Sequence, residues 1–195
     1  GVVLNIPVSD LLNDDGTIFS SIELEERAAS LHRKLWQLRK SVGLEFPVYV
    51  LLTKCDLLPG FQTFACAVGP ERRDSMLGWS SPYDREDPFS EAWIAEAFDE
   101  VDRSVRSSQI ELLAHGEDAK ANEQVLVHNQ IAKLRGPLRP FLHAVFKPSA
   151  YHKAFSMRGL YFTGADRMER SKATAADAEF SNVFSGPDKK VPHPV

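Results

Sequence analysis

The sequence predicts an α/β fold, a parallel sheet with an inserted or appended helical subdomain. Three observations point to it. Residues Phe46 to Leu52 form a near-continuous apolar run, the pattern of a strand buried on both faces, as strands of parallel sheets are. A second apolar run, Gly1 to Val8, opens the chain, and an amphipathic helical stretch separates the two. Strand, helix and strand in that order make a βαβ unit, with parallel strands and a right-handed crossover. Finally, Arg158 to Ala165 repeats the pattern of an apolar, aromatic strand running into a small polar loop, which makes it the natural third strand.

Each element follows from local chemistry. In Gly1 to Val8, Pro7 lacks a backbone donor and marks the strand's end, and Asp10 to Gly16 reads as a loop. Ser20 followed by Glu23 is a capping box. Leu24, Leu31, Leu35, Leu38 and Val42 recur at helical spacing from there, until Gly43 closes the helix as its C-terminal cap. After the second strand, Leu57-Leu58-Pro59-Gly60 turns the chain into a short helix from Phe61 to Val68, closed by Gly69-Pro70. Met76 to Ser80 is a short strand, limited by Gly78 and by Pro82 beyond it.

Asp87 as N-cap and Pro88 at the first helical position open a long helix. Its apolar face is Phe89, Trp93, Ile94, Ala97, Phe98, Val101 and Val105, continuing to Ile110, Leu112 and Leu113, and Gly116 ends it. A further helix is expected from Ala119 to Leu134, before Gly136-Pro137 bends the chain into Leu138 to Phe146. The organisation expected is an α/β portion over residues 1–70, a mainly helical subdomain over 71–150, a returning strand and loop over 151–166 and an irregular tail over 167–195. In that tail Lys172 to Phe180 is the one stretch with a possible turn. The docking surface of such a fold is expected on the long helix around Trp93 and Phe98, as an exposed apolar patch.

Composition narrows the function. The 195 residues are 43% hydrophobic, enough for one good core, and their 23 basic and 27 acidic side chains leave a net charge of −4. That balance argues against a partner held by its phosphate backbone, so no nucleic acid is expected. Cys55 and Cys66 form no CxxC pair and have no histidine at metal spacing, which fits reduced thiols in a reducing compartment. No apolar window is long enough for a membrane span, and no charged-then-apolar leader is present. A buried-looking strand at the first residues suggests a piece of something longer, because domains usually begin with a few exposed residues.

The chemistry concentrates at Thr53-Lys54-Cys55-Asp56, where the central strand meets its loop. Open α/β sheets bind ligands at the carboxyl ends of their strands. A Thr-Lys-x-Asp loop in that position matches the element with which P-loop GTPases read guanine. The Asp56 carboxylate can accept two hydrogen bonds, from the guanine N1–H and from its exocyclic amine. The Lys54 stem would cover the base or ribose and Thr53 would steady the loop; adenine offers no such pair of donors. Thr163, Gly164 and Ala165, small residues after a later strand, suit a backbone contact to a base. Both stretches also suit plain surface turns, with Lys54 and Asp56 merely solvated.

A phosphate site is absent from the sequence. No GxxxxGK followed by Ser or Thr occurs, and no DxxG. Phosphoryl transfer depends on positioning and charge neutralisation at the phosphates, so the chain is expected not to hydrolyse a nucleotide by itself. His128, His143 and His152 are too scattered for a metal site and read as helix-surface or capping residues. Glu96, Asp99, Glu100 and Asp102 beside Arg103 and Arg106 read as a solvated helix face. There is no nucleophile-elbow GxSxG, Cys55 has no assigned base, and Trp36, Trp79 and Trp93 read as core or interface anchors.

Four segments in order carry a family resemblance: Gly1 to Leu12, Phe46 to Phe61, Leu138 to Phe146 and Arg158 to Ala165. A GVVLxxxVxDLL strand, FPVYVLxTKxDLLPGF, an RPxL-type helix end and RGxYFTxA in combination resemble the cytoplasmic domain of the IcmF/TssM proteins of bacterial type VI secretion systems. The resemblance covers the first 165 residues. It implies a partial P-loop-NTPase-like sheet from a membrane-embedded parent, lying at the cytoplasmic face of the bacterial inner membrane and acting in assembly and docking of the secretion apparatus. Its partners would be other subunits of the membrane complex and cytoplasmic baseplate components. The family's base loop carries over onto Thr53, Lys54 and Asp56, and its strand-end loop onto Thr163, Gly164 and Ala165. A Walker A segment would lie upstream of Gly1, so no cofactor is expected in this chain, and GTP or ATP with Mg in the full-length protein. Two alternatives stand beside assembly: a nucleotide-binding switch, and a helical interaction module whose TKxD is accidental. The last predicts that Thr163 to Ala165 lies far from Lys54.

Overall fold

A computed structural model describes residues 1–13, 16–67, 76–84, 86–87, 89–116, 118–148 and 153–165. The expectations placed on Gly69-Pro70, Pro88, His152 and the tail, including the turn at Lys172 to Phe180, lie outside the described residues. Gly1 to Ala165 form one compact unit. Its elements are β1 (Val2–Pro7), α1 (Ser21–Val42), β2 (Pro47–Thr53), α2 (Phe61–Ala67), β3 (Gly78–Ser80), α3 (Ala92–Ala114), α4 (Asp118–Phe146) and β4 (Ser156–Phe162), with single 3-10 turns at Val8–Asp10 and Cys55–Leu57.

The fold is mixed α/β, and its sheet has four strands in the order β1-β2-β4-β3. Val2 to Pro7 pairs in parallel with Val48 to Thr53, and β2 pairs in parallel with β4. The short β3 runs antiparallel to β4, with Trp79 opposite Leu160. At Tyr49 the register to β4 slips by one residue, so Arg158 is an extra residue in its strand. Its guanidinium is thereby free to donate to the carbonyls of Ser81, Tyr83 and Asp84. In the Arg-Gly of β4, then, the arginine clamps the loop after β3. The glycine lies under Tyr161, whose ring would be 2.5 Å from any Cβ at Gly159.

The capping box forms as the sequence predicts. Ser20 N–H donates to Glu23 Oε2 (3.1 Å) and Glu23 N–H donates to Ser20 Oγ (3.4 Å), while Gly43 takes the left-handed cap with φ 70°. Leu24, Ala28 and Leu35 are buried, whereas Leu38 and Val42 at the far end are exposed. All four helices among the described residues lend buried side chains to one core, which includes Leu4, Ile6, Val48, Val50, Leu52 and Leu160 of the sheet.

Four sequence expectations are corrected. The central strand is not buried on both faces: Val48, Val50 and Leu52 are fully buried, but Tyr49, Leu51 and Thr53 are half-buried, because the core occupies one side of the sheet. α3 begins at Ala92 rather than after Asp87. Asp87 instead accepts a hydrogen bond from Asp84 N–H, and Phe89 stays outside the helix, stacked on Phe146. Gly136-Pro137 does not break the next helix; α4 runs through both Pro137 and Pro140. A helix-interior proline costs about 3 kcal/mol. Burial of Leu138, Phe141, Leu142, Val145 and Phe146, at about 1.5–3 kcal/mol each, outweighs that cost. The expected docking patch is also absent: Trp93 is 4% and Phe98 3% exposed. Trp93 stacks on Tyr83 at 4.8 Å between ring centres, and Phe98 meets Phe162 edge to face.

Candidate functional site

The two loops singled out in the sequence adjoin at the carboxyl ends of β2 and β4. Because these strands are neighbours and parallel, both end on the same rim of the sheet. Three hydrogen bonds tie the loops to each other there. Thr163 N–H donates to the Leu52 carbonyl (2.8 Å) and Cys55 N–H to the Thr163 carbonyl (3.0 Å). Ala165 N–H donates to Asp56 Oδ1 (3.0 Å). A helical module with an accidental TKxD predicted the loops to be far apart, and they are bonded together.

Lys54 is the hinge of the arrangement. Its φ of 59° makes it the one non-glycine with a left-handed backbone among the described residues, a conformation costing an L-residue about 1–2 kcal/mol. Strain of that kind persists where surrounding structure enforces it and concentrates at functional sites. Here the left-handed residue ends β2 and starts the 3-10 turn that carries Asp56. Lys54 itself is exposed, Asp56 and Thr53 are half-buried, and Thr163, Gly164 and Ala165 are exposed. The loops thus present an ammonium and a carboxylate on one accessible rim. A carboxylate has about four lone-pair sites, of which Asp56 commits one to Ala165 N–H.

Close packing fixes the loops. A Cβ at Gly164 would sit 2.6 Å from Asp56 N and 3.1 Å from Phe61 Cε1, so no larger residue fits there without parting the loops. Gly60, with φ 83°, both adopts a backbone unsuited to other residues and lets α4 approach; a Cβ there would be 2.5 Å from the Glu123 carbonyl. Phe61 closes the FPVYVLxTKxDLLPGF segment, but its packing against Gly164 is missed by motif reasoning, because in sequence it also reads as the first apolar residue of a helix. A cavity of about 730 Å³ opens beside the loops, lined by Leu51, Phe61, Phe64, Tyr161 and Thr163 with Arg103 at its rim. It too has no local sequence signal, since its walls come from separated elements.

The other candidates have structural roles. Burial pushes the Cys55 thiol up to about 12, and its Sγ donates to the Leu52 carbonyl (3.4 Å), so it is no nucleophile at neutral pH. His128 Nδ1 lies 2.8 Å from Asp102, and His143 contacts Glu91, each tying α4 to α3 or the residue before it. The acidic face makes the expected Arg103–Glu100 and Arg106–Asp102 pairs. It also reaches across to other elements, through Asp99 to Arg135 and through Glu96 to the Tyr83 hydroxyl. Trp79 and Trp93 are core residues, and no described helix is long and apolar enough to cross a membrane.

The family model for the IcmF-related N-terminal domain matches residues 1–192. Over 168 residues, 84% of the chain, the sequence is 32% identical to a protein of Pseudomonas aeruginosa strain PAO1 named type VI secretion system component TssM1. The chain spans 15% of the length of that relative. No solved structure matches. On the family model and this relative together, the chain belongs to the IcmF/TssM family, through the IcmF-related N-terminal domain.

Proposed function

We propose that this chain is a cytoplasmic part of a type VI secretion membrane-complex protein and acts in assembly and docking of the apparatus. The observation that carries the reading is the family match along nearly the whole chain, with a relative named as a type VI secretion component. The parent protein sits in the inner membrane with this domain on its cytoplasmic side, and its partners are the other membrane-complex subunits and cytoplasmic baseplate components. The sheet is a partial P-loop-NTPase-like one. The absence of a GxxxxGK sequence from these residues supports a chain with no hydrolytic activity of its own.

A second reading is favoured by the joined loops, the left-handed Lys54 and the Asp56–Ala165 bond: a guanine-nucleotide switch completed by an upstream phosphate loop. In it Asp56 accepts from guanine N1–H and the exocyclic amine, Lys54 covers the base, and Thr163 to Ala165 offer backbone contacts. GTP or ATP with Mg would be the ligand of the longer protein. Calorimetric titration of GTP, GDP and ATP into the full-length parent, its Asp56→Ala form and this chain separates the readings. Guanine-selective binding that requires Asp56 makes the domain a switch; no binding by any form leaves an assembly domain on a retired NTPase fold.

A further inference from the structure

The cavity beside the joined loops combines two kinds of chemistry. Its walls are apolar and come from separate elements: Leu51 of β2, Tyr161 and Phe162 of β4, Phe61 and Phe64 of α2, and Leu77 just ahead of β3. Leu51 and Tyr161 stand opposite each other in the strand register, and the rings of Phe61 and Phe64 lie 6.3 Å apart. Phe162 N–H donates to the Leu77 carbonyl (2.8 Å), and the Tyr161 hydroxyl is bonded to that of Ser80 (2.7 Å). These bonds hold the walls in place. The volume, about 730 Å³, lies within the range of roughly 300–1,000 Å³ in which proteins hold one small ligand.

The polar side comes from a single helix. Arg103, Ser104, Ser107 and Ser108 of α3 all line the cavity, because Arg103 with Ser107 and Ser104 with Ser108 are i, i+4 neighbours on one helix face. Ser108 is buried and its hydroxyl donates to the Ser104 carbonyl (3.1 Å), whereas Ser107 is exposed and Ser104 half-buried. Among the described lining residues Arg103 is the one charged group, and none is acidic. Its ion pair with Glu100, at 2.6 Å, leaves the arginine 70% exposed. A pair that exposed contributes little, and a guanidinium has five N–H donors to share. An apolar chamber with one cation and neighbouring hydroxyls complements a molecule that is apolar along its body and negative at one end. A nucleotide would bring several negative charges to that single guanidinium.

We infer that this cavity binds a free single-chain amphiphile with an anionic head, of which a medium-chain alkyl carboxylate is the simplest form. The carboxylate accepts hydrogen bonds from Arg103 and Ser107, and the alkyl chain lies among Leu51, Phe61 and Phe64. Thr163 and Gly164 also line the cavity, and the Thr163 carbonyl accepts from Cys55 N–H, so the ligand rests against the joined loops. The inference goes beyond the proposed function and holds whether or not the longer protein binds nucleotide.

Calorimetric titration of dodecanoate into the whole chain, kept below the concentration at which dodecanoate forms micelles, tests it. Saturable binding at one site is expected. Arg103→Ala, which removes an exposed side chain, should weaken that binding about tenfold, as loss of a hydrogen bond to a charged group does. Arg103→Glu should reverse the head preference, so that dodecyltrimethylammonium binds in place of dodecanoate; a misfolded variant would bind neither. Ala65→Trp, at an exposed position on the cavity wall, should block both. Absence of saturable dodecanoate binding would overturn the inference, as would equal binding of the two head groups that ignores Arg103→Ala. Displacement of dodecanoate by GTP would overturn it by giving the cavity to the nucleotide. Sedimentation with phosphatidylglycerol vesicles, without binding of free dodecanoate, would overturn it in favour of a membrane surface.

Discussion

The two faces of the sheet are built from the same strands and differ in almost every other respect. On one, Val48, Val50, Leu52 and Leu160 are sealed under four helices. On the other, one residue along each strand, Val3 lies open and Tyr49, Leu51 and Tyr161 are half open. Apolar character in a strand thus records the company a residue is made to keep, and that company need not all be within these residues. The first face holds the chain together. The second is apolar but only half-buried.

That contrast can be broken by mutation. Leu52→Ala, at a fully buried position, should destabilise the chain by about 2–5 kcal/mol in urea titration. Val3→Thr keeps the β-branch on the open face and should change stability by no more than about 0.5 kcal/mol. Comparable losses from the two would mean the second face is packed after all. At the rim where the faces meet, Gly164→Ala forces a methyl against the Asp56 backbone and should cost about 1–3 kcal/mol. Loss of the Ala165 amide's protection in hydrogen exchange would show that the joined loops, rather than the sheet, take the damage. The smallest effect belongs to Ser20→Ala at the head of α1, about 1 kcal/mol by the same titration. It removes the Ser20 hydroxyl bond that, more than the Ser20 backbone N–H bond it leaves in place, holds the Glu23 carboxyl below its usual range. A depressed carboxylate pKa stabilises the fold above its unfolded value and loses that contribution as pH falls through the folded one. The Ser20→Ala deficit should therefore shrink on acidification below the ordinary glutamate range.

Much of this architecture is legible in the residues. The capping box, the left-handed Gly43, the βαβ order and the pairing of the TKxD strand with the Arg-Gly strand all follow from local signals, because each is decided by groups a few residues apart or by strand order alone. What sequence reading misses is decided by distant partners. Pro137 and Pro140 say "break", yet Leu138, Leu142 and Phe146 find a complete core to fill and the helix continues. Trp93 and Phe98 look like a surface patch until Tyr83 and Phe162, from either side of the helical block, close over them. The apolar run of β2 suggests full burial on both faces, yet burial alternates along it, which a run of apolar residues cannot signal. At the candidate site, the positions of Lys54 and Asp56 are readable. The Asp56–Ala165 bond, spanning 109 residues, and the approach of Phe61 to Gly164 are not.

The central place of β4 sets an order of events on the ribosome. It is the last described strand to be synthesised, yet it stands between β2 and β3. Until residues 156–162 emerge, β3 has no neighbour, the sheet is two strands wide, and Phe98 of α3 lacks the Phe162 ring it packs against. Such long-range pairing is slow and leaves apolar surface open while it waits. The arrival of β4 joins the sheet, seals the core and brings Ala165 to Asp56 in a single step. A nascent chain stalled before Ser156 would therefore lack both the joined sheet and the rim that carries the candidate site.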